Sequence, residues 1–136
     1  MTTVLERPTS LRQSKSALHV EDDERWRSRI GRYLQEVRYD VTQVDNQEEA
    51  EELAHRQPFD VYIFDEQFPL RRGGTDQSGS GIDLYDKIRE IRGVDLNCVI
   101  VSGGNLRRQC NERGIKFIYK GLFDRGSFMT YLKKLH

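Results

Sequence analysis

Four places along the chain carry side chains that could do chemistry together. They are the acidic run Glu21-Asp22-Asp23, Asp65 at the end of the apolar run YIFD, Ser102 and Lys120. Carboxylates gathered without a partner repel one another, and at least one of them is driven to keep a proton. A divalent cation removes that conflict. Oxygen-rich sites of this kind suit Mg²⁺, which keeps several waters and takes one or two carboxylates plus phosphate oxygens. A lysine and a hydroxyl opposite the cation complete a clamp for a phosphoryl group, whose transfer depends on positioning and charge neutralisation. A carboxylate can itself accept the phosphoryl group as an aspartyl phosphate. Each residue also has an ordinary reading. Asp65 and Ser102 suit turns. The acidic run suits the positive end of a following helix, a role that Asp23 and Glu24 fit best. Lys120 suits a solvated surface. The deciding question is whether the fold brings these residues to one edge.

The elements that would position them follow from periodicity. ALHV (17–20) is a strand-like run, and Trp26, Ile30, Leu34 and Val37 share one helical face over 24–37. Gly31 inside that helix costs about 1 kcal/mol relative to Ala. YDVTQV (39–44) reads as a second strand. Asn46 with Glu49 three residues later resembles a capping box and opens a helix that runs to Arg56. DVYIFD (60–65) has the continuous apolar run expected of a parallel strand buried on both faces. Leu84, Tyr85, Ile88 and Ile91 mark a helix over 82–92, NCVIVS (97–102) a fourth strand, and 104–112 a short polar helix. IKFIY (115–119) is a fifth strand, and Phe128, Tyr131, Leu132 and Leu135 make a last amphipathic helix. This alternation predicts an α/β fold with a five-stranded parallel sheet and helices on both faces. In open sheets of this kind ligands bind at the carboxyl ends of the strands, near the topological switch point. Glu21-Asp22, Asp65, Ser102 and Lys120 each stand at such an end.

Composition narrows the alternatives. The chain has 136 residues, a length that suits one domain, with a loose N-terminal arm over 1–15 and the folded unit over 16–136. Hydrophobic residues make up 36%, which is low, but they are bunched enough for a core. Lys+Arg and Asp+Glu both number 22, so no basic excess points to nucleic acid. No apolar run is long enough to cross a membrane, and no apolar segment near the N-terminus suggests export, so the expected compartment is the cytoplasm. Cys98 in an apolar run and Cys110 in a polar one lack metal or redox spacing and are expected to be free thiols. His19, His55 and His136 have no ligand spacing.

In the order and spacing of VEDD (20–23), FDEQFP (64–69), VSGG (101–104) and YKG (119–121), the chain resembles a response-regulator receiver domain over about residues 16 to 135. Each mark alone is weak, and their joint placement at strand ends is specific. The resemblance implies a flavodoxin-like doubly wound sheet with strand order 2-1-3-4-5. It implies that Asp65 accepts a phosphoryl group from a histidine kinase or a phosphotransfer protein. It also implies that Glu21, Asp22 and Asp65, with the backbone carbonyl of Gln67, hold Mg²⁺. Ser102 would donate a hydrogen bond to the phosphoryl group and Lys120 would pair with its charge. Phe117, three residues before Lys120, matches the switch aromatic. Gln67 and Gly104 match positions that tune the lifetime of the phosphoryl group. The output would pass to a downstream protein, and a homodimer is compatible with the reading. No metabolic reaction is implied beyond self-catalysed phosphoryl transfer and dephosphorylation.

Three features depart from the family pattern. LRRGGTDQSGSG (70–81) is longer than the usual link after the phosphoacceptor. Its glycines and serines suggest a mobile surface excursion, the rival reading being a lid over Asp65 with Arg71 or Arg72 touching phosphate or a partner. Lys120 precedes Gly121 where the family has proline. NLRRQCNERG (105–114) is shorter and more polar than the family's fourth helix. These departures motivate the rival reading of a pseudo-receiver, a binding module without phosphorylation. A phosphatase using an aspartyl phosphate fits less well, because Gln67 stands where its second motif acid belongs.

Overall fold

A computed structural model of the protein describes residues 14–135. In chain order these fold as β1 (Lys15–Val20), α1 (Glu24–Glu36), β2 (Tyr39–Val44), α2 (Gln47–Arg56), β3 (Val61–Asp65), β4 (Phe68–Pro69), β5 (Asp76–Gln77) and α3 (Ser80–Arg92). They continue as β6 (Cys98–Ser102), α4 (Arg107–Arg113), β7 (Lys116–Tyr119), a 3-10 turn (Lys120–Leu122) and α5 (Arg125–Lys134).

Alternation along β3 explains the architecture. Tyr62 and Phe64 point to one face of the sheet, where they pack with Leu18, Val20 and Ile100 beneath Ala50 and Ala54 of α2 and Leu84 and Ile88 of α3. Val61 and Ile63 point to the other face, where they pack with Ala17, Val99 and Val101 beneath Ile30 and Leu34 of α1 and Phe128 and Leu132 of α5. A strand covered on both sides must be apolar at every position, which is why β3 reads as an unbroken run. The five principal strands are parallel and ordered β2-β1-β3-β6-β7. Leaving out the two short strands β4 and β5, this is the order 2-1-3-4-5 of a flavodoxin-like sheet. The chain runs from β1 outward to β2, then returns to β3 on the opposite side of β1. The switch point therefore lies between β1 and β3.

Several local choices follow the sequence closely. Asp23 caps α1, its Oδ1 accepting from the backbone N–H groups of Arg25 (2.9 Å) and Trp26 (3.1 Å). Asn46 caps α2 by accepting from Glu49 N at 2.9 Å, and the Glu49 carboxylate reaches back to the Asn46 side-chain amide at 2.5 Å. His19 is a core residue, with Nδ1 2.9 Å from Gln43 Nε2.

Other expectations need correction. β1 begins at Lys15, which pairs with Tyr39, two residues before the expected strand start; residues 1–13 of the expected arm lie outside the described residues. The short polar helix begins at Arg107 and turns Cys110 fully into the core. Both cysteines are thus buried free thiols, and burial pushes Cys98 well up and Cys110 to about 11, away from reactivity. The excursion over 70–81 is a folded hairpin: β4 and β5 pair antiparallel, Phe68 with Gln77 and Pro69 with Asp76. Among the described residues, no helix is long and apolar enough to cross a membrane.

Candidate functional site: an acidic cleft at the carboxyl edge of the sheet

Strand register assembles the site. Val20 pairs with Phe64, so the next residues, Glu21 and Asp65, come level across the switch point. Asp65 pairs with Val101, which leaves Ser102 one residue beyond. Ser102 pairs with Tyr119, which leaves Lys120 one residue beyond that. Glu21 stays in the ladder through Glu21 N to Val44 O at 3.1 Å. The Arg27 guanidinium donates to the carbonyls of Glu21 (3.0 Å) and Asp22 (3.3 Å), fixing the turn that aims both side chains.

Carboxylate oxygens of Glu21, Asp22 and Asp65 lie within 4.8 Å of one another. Lys120 Nζ stands 3.2 Å from Glu21 Oε1 and 3.3 Å from Asp65 Oδ1. The same ammonium sits 5.1 Å from the centre of the Trp26 ring. Asp65 Oδ1 also accepts from Glu66 N at 2.8 Å. Glu21 is 2% exposed and the Lys120 side chain 18%. Burial, and then the neighbouring Asp65 carboxylate, push Glu21 up to about 8. Burial, and then contact with the Asp76 carboxylate, push Asp22 up to about 7. One lysine cannot satisfy this much negative charge. Acids driven to hold protons, with oxygens from three side chains converging, are the donor set a hard divalent cation takes.

Across the cleft, the buried Ser102 hydroxyl accepts from Gly104 N at 2.9 Å. The peptide bond from Lys120 to Gly121 is trans. A Cβ at Gly121 would meet the exposed Tyr119 ring, which would have to swing aside to admit it. The missing proline therefore leaves Lys120 in place. Gln67 is exposed, two residues past Asp65. Phe117 is half-buried against the core, with the Arg107 guanidinium 5.5 Å over its ring.

Four residues escaped the sequence reading. Trp26 reads in the sequence only as a helix-face residue, whereas its ring lies under the Lys120 ammonium. Glu66 is buried and its Oε1 accepts from Gly79 N at 2.6 Å and Ser78 Oγ at 3.2 Å. Gly81 permits close approach, since a Cβ there would meet the Asp65 carbonyl oxygen well inside van der Waals contact. Asp76 reaches Asp22 from the hairpin. The Glu66-Gln67 pair after Asp65 was visible as polar sequence, but nothing local links it to residues 78–81. Arg71 and Arg72 face α2 instead of the cleft, pairing with Glu48 (3.4 Å) and Glu49 (3.1 Å).

Comparison with known proteins agrees with this geometry. No curated protein matches the chain. Among solved structures, it is similar to the receiver domain of a sensor histidine kinase from Pseudomonas aeruginosa PAO1, described with a magnesium ion coordinated in its active site cleft. That pair shares 22% identity over 90% of this chain and 97% of the other, with a TM-score of 0.70. Response regulator TrrA from Thermotoga maritima, in complex with Mg(2+)-BeF, shares 23% identity over 90% and 99%, with a TM-score of 0.70. Chemotaxis response regulator CheY4 of Vibrio cholerae shares 18% over 91% and 100%, with a TM-score of 0.73. At these identities the likeness speaks for the fold. The model of the response regulator receiver domain matches residues 17–121, a span that takes in Glu21, Asp22, Asp65, Ser102 and Lys120. The chain belongs to the response regulator receiver domain family.

Proposed function

We propose that the protein is a phosphorylation-dependent switch in which Asp65 accepts a phosphoryl group from a histidine kinase or phosphotransfer protein. The observation that carries this reading is the single Lys120 ammonium shared by Glu21 and Asp65, 3.2 and 3.3 Å away, beside a third carboxylate. A pseudo-receiver would have no need to keep that set intact around a Lys-Gly step.

In the proposed step a carboxylate oxygen of Asp65 attacks the phosphorus. The O–P bond forms as the P–N bond to the donor imidazole breaks, and the imidazole leaves with that electron pair and takes up a proton. Glu21, Asp22 and Asp65, with the Gln67 carbonyl, would hold Mg²⁺, which supplies charge neutralisation to carboxylates and phosphoryl oxygens. Lys120 is already beside Asp65 and pairs with the charge that arrives. Ser102 exchanges its bond from Gly104 N for one donated to the phosphoryl group. Phe117 then leaves the Arg107 guanidinium and turns inward, so the loops after β6 and β7 take a second conformation that a downstream protein reads. Water attack on phosphorus returns free Asp65 and phosphate.

The test is intact-protein mass after incubation with a small phosphodonor, with and without Mg²⁺. Wild type should gain one phosphoryl group only with Mg²⁺, and Asp65→Asn should gain none. A folded wild type that is inert to small donors and to kinases alike would leave the pseudo-receiver reading standing instead.

A further inference from the structure

Lys120 carries a compact charge on a flexible four-carbon stem, and its own turn does little to hold it. Gly121 beside it has no side chain to pack, and Leu122 is largely exposed. The ammonium is shared by two acids on different strands, Glu21 just past β1 and Asp65 at the end of β3. Those contacts fix it only while both carboxylates stay as they are. A phosphoryl group on Asp65 carries its negative charge on oxygens beyond Oδ1, and the ammonium has to follow that charge without leaving the cleft.

One contact of Lys120 does not depend on the acids. Its ammonium lies over the Trp26 ring, 5.1 Å from the centre. That ring is itself well anchored. Trp26 N donates to the Asp23 cap at 3.1 Å. The indole meets the Phe123 ring edge-on, at 5.5 Å and 79°, and the Arg29 guanidinium lies 4.9 Å over it. Phe123 stacks on Tyr33 (6.1 Å, 11°) and packs tilted against the buried Phe128 (5.3 Å). Phe123 N also donates to Lys120 O at 3.2 Å. The aromatic group therefore ties the turn that carries Lys120 to α1 and α5. A ring face attracts a cation through its quadrupole. It brings no negative charge that would compete with a phosphoryl group for the ammonium, as a third carboxylate would.

We propose that Trp26 is a positioning residue for Lys120, its indole face keeping the ammonium beside Asp65 while the charge on that side chain passes from carboxylate to phosphoryl oxygens. The inference rests on the phosphoacceptor role given above to Asp65. Trp26 acts through Lys120, and Phe123 acts through Trp26 by fixing the plane of its ring.

The experiment uses the full chain as wild type, Trp26→Leu, Trp26→Phe, Lys120→Met and the double variant of Trp26→Leu with Lys120→Met. The first readout needs neither metal nor phosphorylation. Trp26 is the only tryptophan in the chain, so intrinsic emission reports on this ring alone. Lys120→Met should shift the emission of the metal-free protein, and an unchanged spectrum overturns the proposal. The second readout is the initial rate of phosphoryl gain from a small phosphodonor at saturating Mg²⁺, followed by intact mass. Trp26→Leu should slow it by about 5-fold, within the range that a partly buried cation–π contact supplies. Trp26→Phe keeps a ring face and should recover most of the rate. With Lys120→Met in place, Trp26→Leu should slow the residual rate no further. A ring that only packs α1 against the turn would slow both backgrounds by the same factor. That result, or a wild-type rate in Trp26→Leu, removes the role of Trp26 and leaves Asp65 as the acceptor. If folded wild type gains no phosphoryl group, the acceptor reading falls and this proposal falls with it.

Discussion

Glu21 is a carboxylate buried beside a second carboxylate, and one lysine has to serve both. The strand ends made Glu21, Asp22, Asp65, Ser102 and Lys120 legible, because a residue that follows an apolar run has its place fixed by that run. Trp26 beneath Lys120 and Asp76 beside Asp22 were not legible, because their neighbours are distant in sequence. The conflict at Glu21 has a measurable consequence. An acid whose folded-state pKa is raised stabilises the fold below its unfolded pKa and loses that contribution as pH rises through the folded value. For Glu21 that window runs from 4.5 to about 8, and for Asp22 from 3.8 to about 7. His19 acts in the opposite direction: burial first, then Arg27 and Lys120, lower it to about 3, so its contribution is lost as pH falls below 6.5. Below 6.5 the two tendencies oppose each other, and between 6.5 and 8 the acids act alone. Metal-free protein should therefore lose stability on the order of 1 kcal/mol from Glu21 as pH rises from 6.5 to 8. Saturating Mg²⁺ should flatten that slope, since the carboxylates it holds are already ionised. Urea unfolding at both pH values, with and without Mg²⁺, measures it; equal slopes would place the titrating groups elsewhere.

At the scale of elements, the periodic segments were readable because helix and strand patterns are local, and β3 carried the clearest signal because both its faces are covered. The hairpin was not readable. Each of its strands has two residues, its glycines and serines look like flexible loop, and its braces come from Glu66, Ser80 and the acids of α2. The α3 start shows how such long-range fitting is encoded. Gly81 amide lies 3.4 Å from Glu66 O, and the missing side chain lets α3 sit directly on the backbone that carries Asp65. Gly81→Ala should push α3 away from β3 or twist Asp65 out of line. The expected cost is about 1–3 kcal/mol of stability, typical of overpacking, together with weaker Mg²⁺ binding. Gly103→Ala, where an added Cβ meets nothing within 4 Å, should leave stability unchanged. Thermal melts and cation titration of both variants check the contrast; full Mg²⁺ affinity in Gly81→Ala would mean that the close approach does not position Asp65.

For the molecule as a whole, the two edges of the sheet differ in how firmly they are held. At the β2 edge, Tyr39 is buried and its hydroxyl donates to Leu132 O of α5 at 3.0 Å, while Gln43 bridges His19 to Arg27 O. At the β7 edge no residue is fully buried, Phe117 and Ile118 are half-covered, and Leu122 in the following turn is 77% exposed. Lys120, which would pair with a phosphoryl group on Asp65, opens the turn on this looser side, whereas Ser102 ends the fully buried β6. A population shift that starts at Asp65 therefore has a path of low resistance toward β7 and the turn after it, and a stiff wall toward β2. Amide exchange before and after loading with phosphodonor and Mg²⁺ should change within residues 102–122 and stay constant within 39–44. The comparison must be made on amides that exchange by local opening, because ligation slows every amide that exchanges through global unfolding by the same factor. Local changes of equal size at both edges would mean that the sheet responds as one body and that the β7 edge is not the output side.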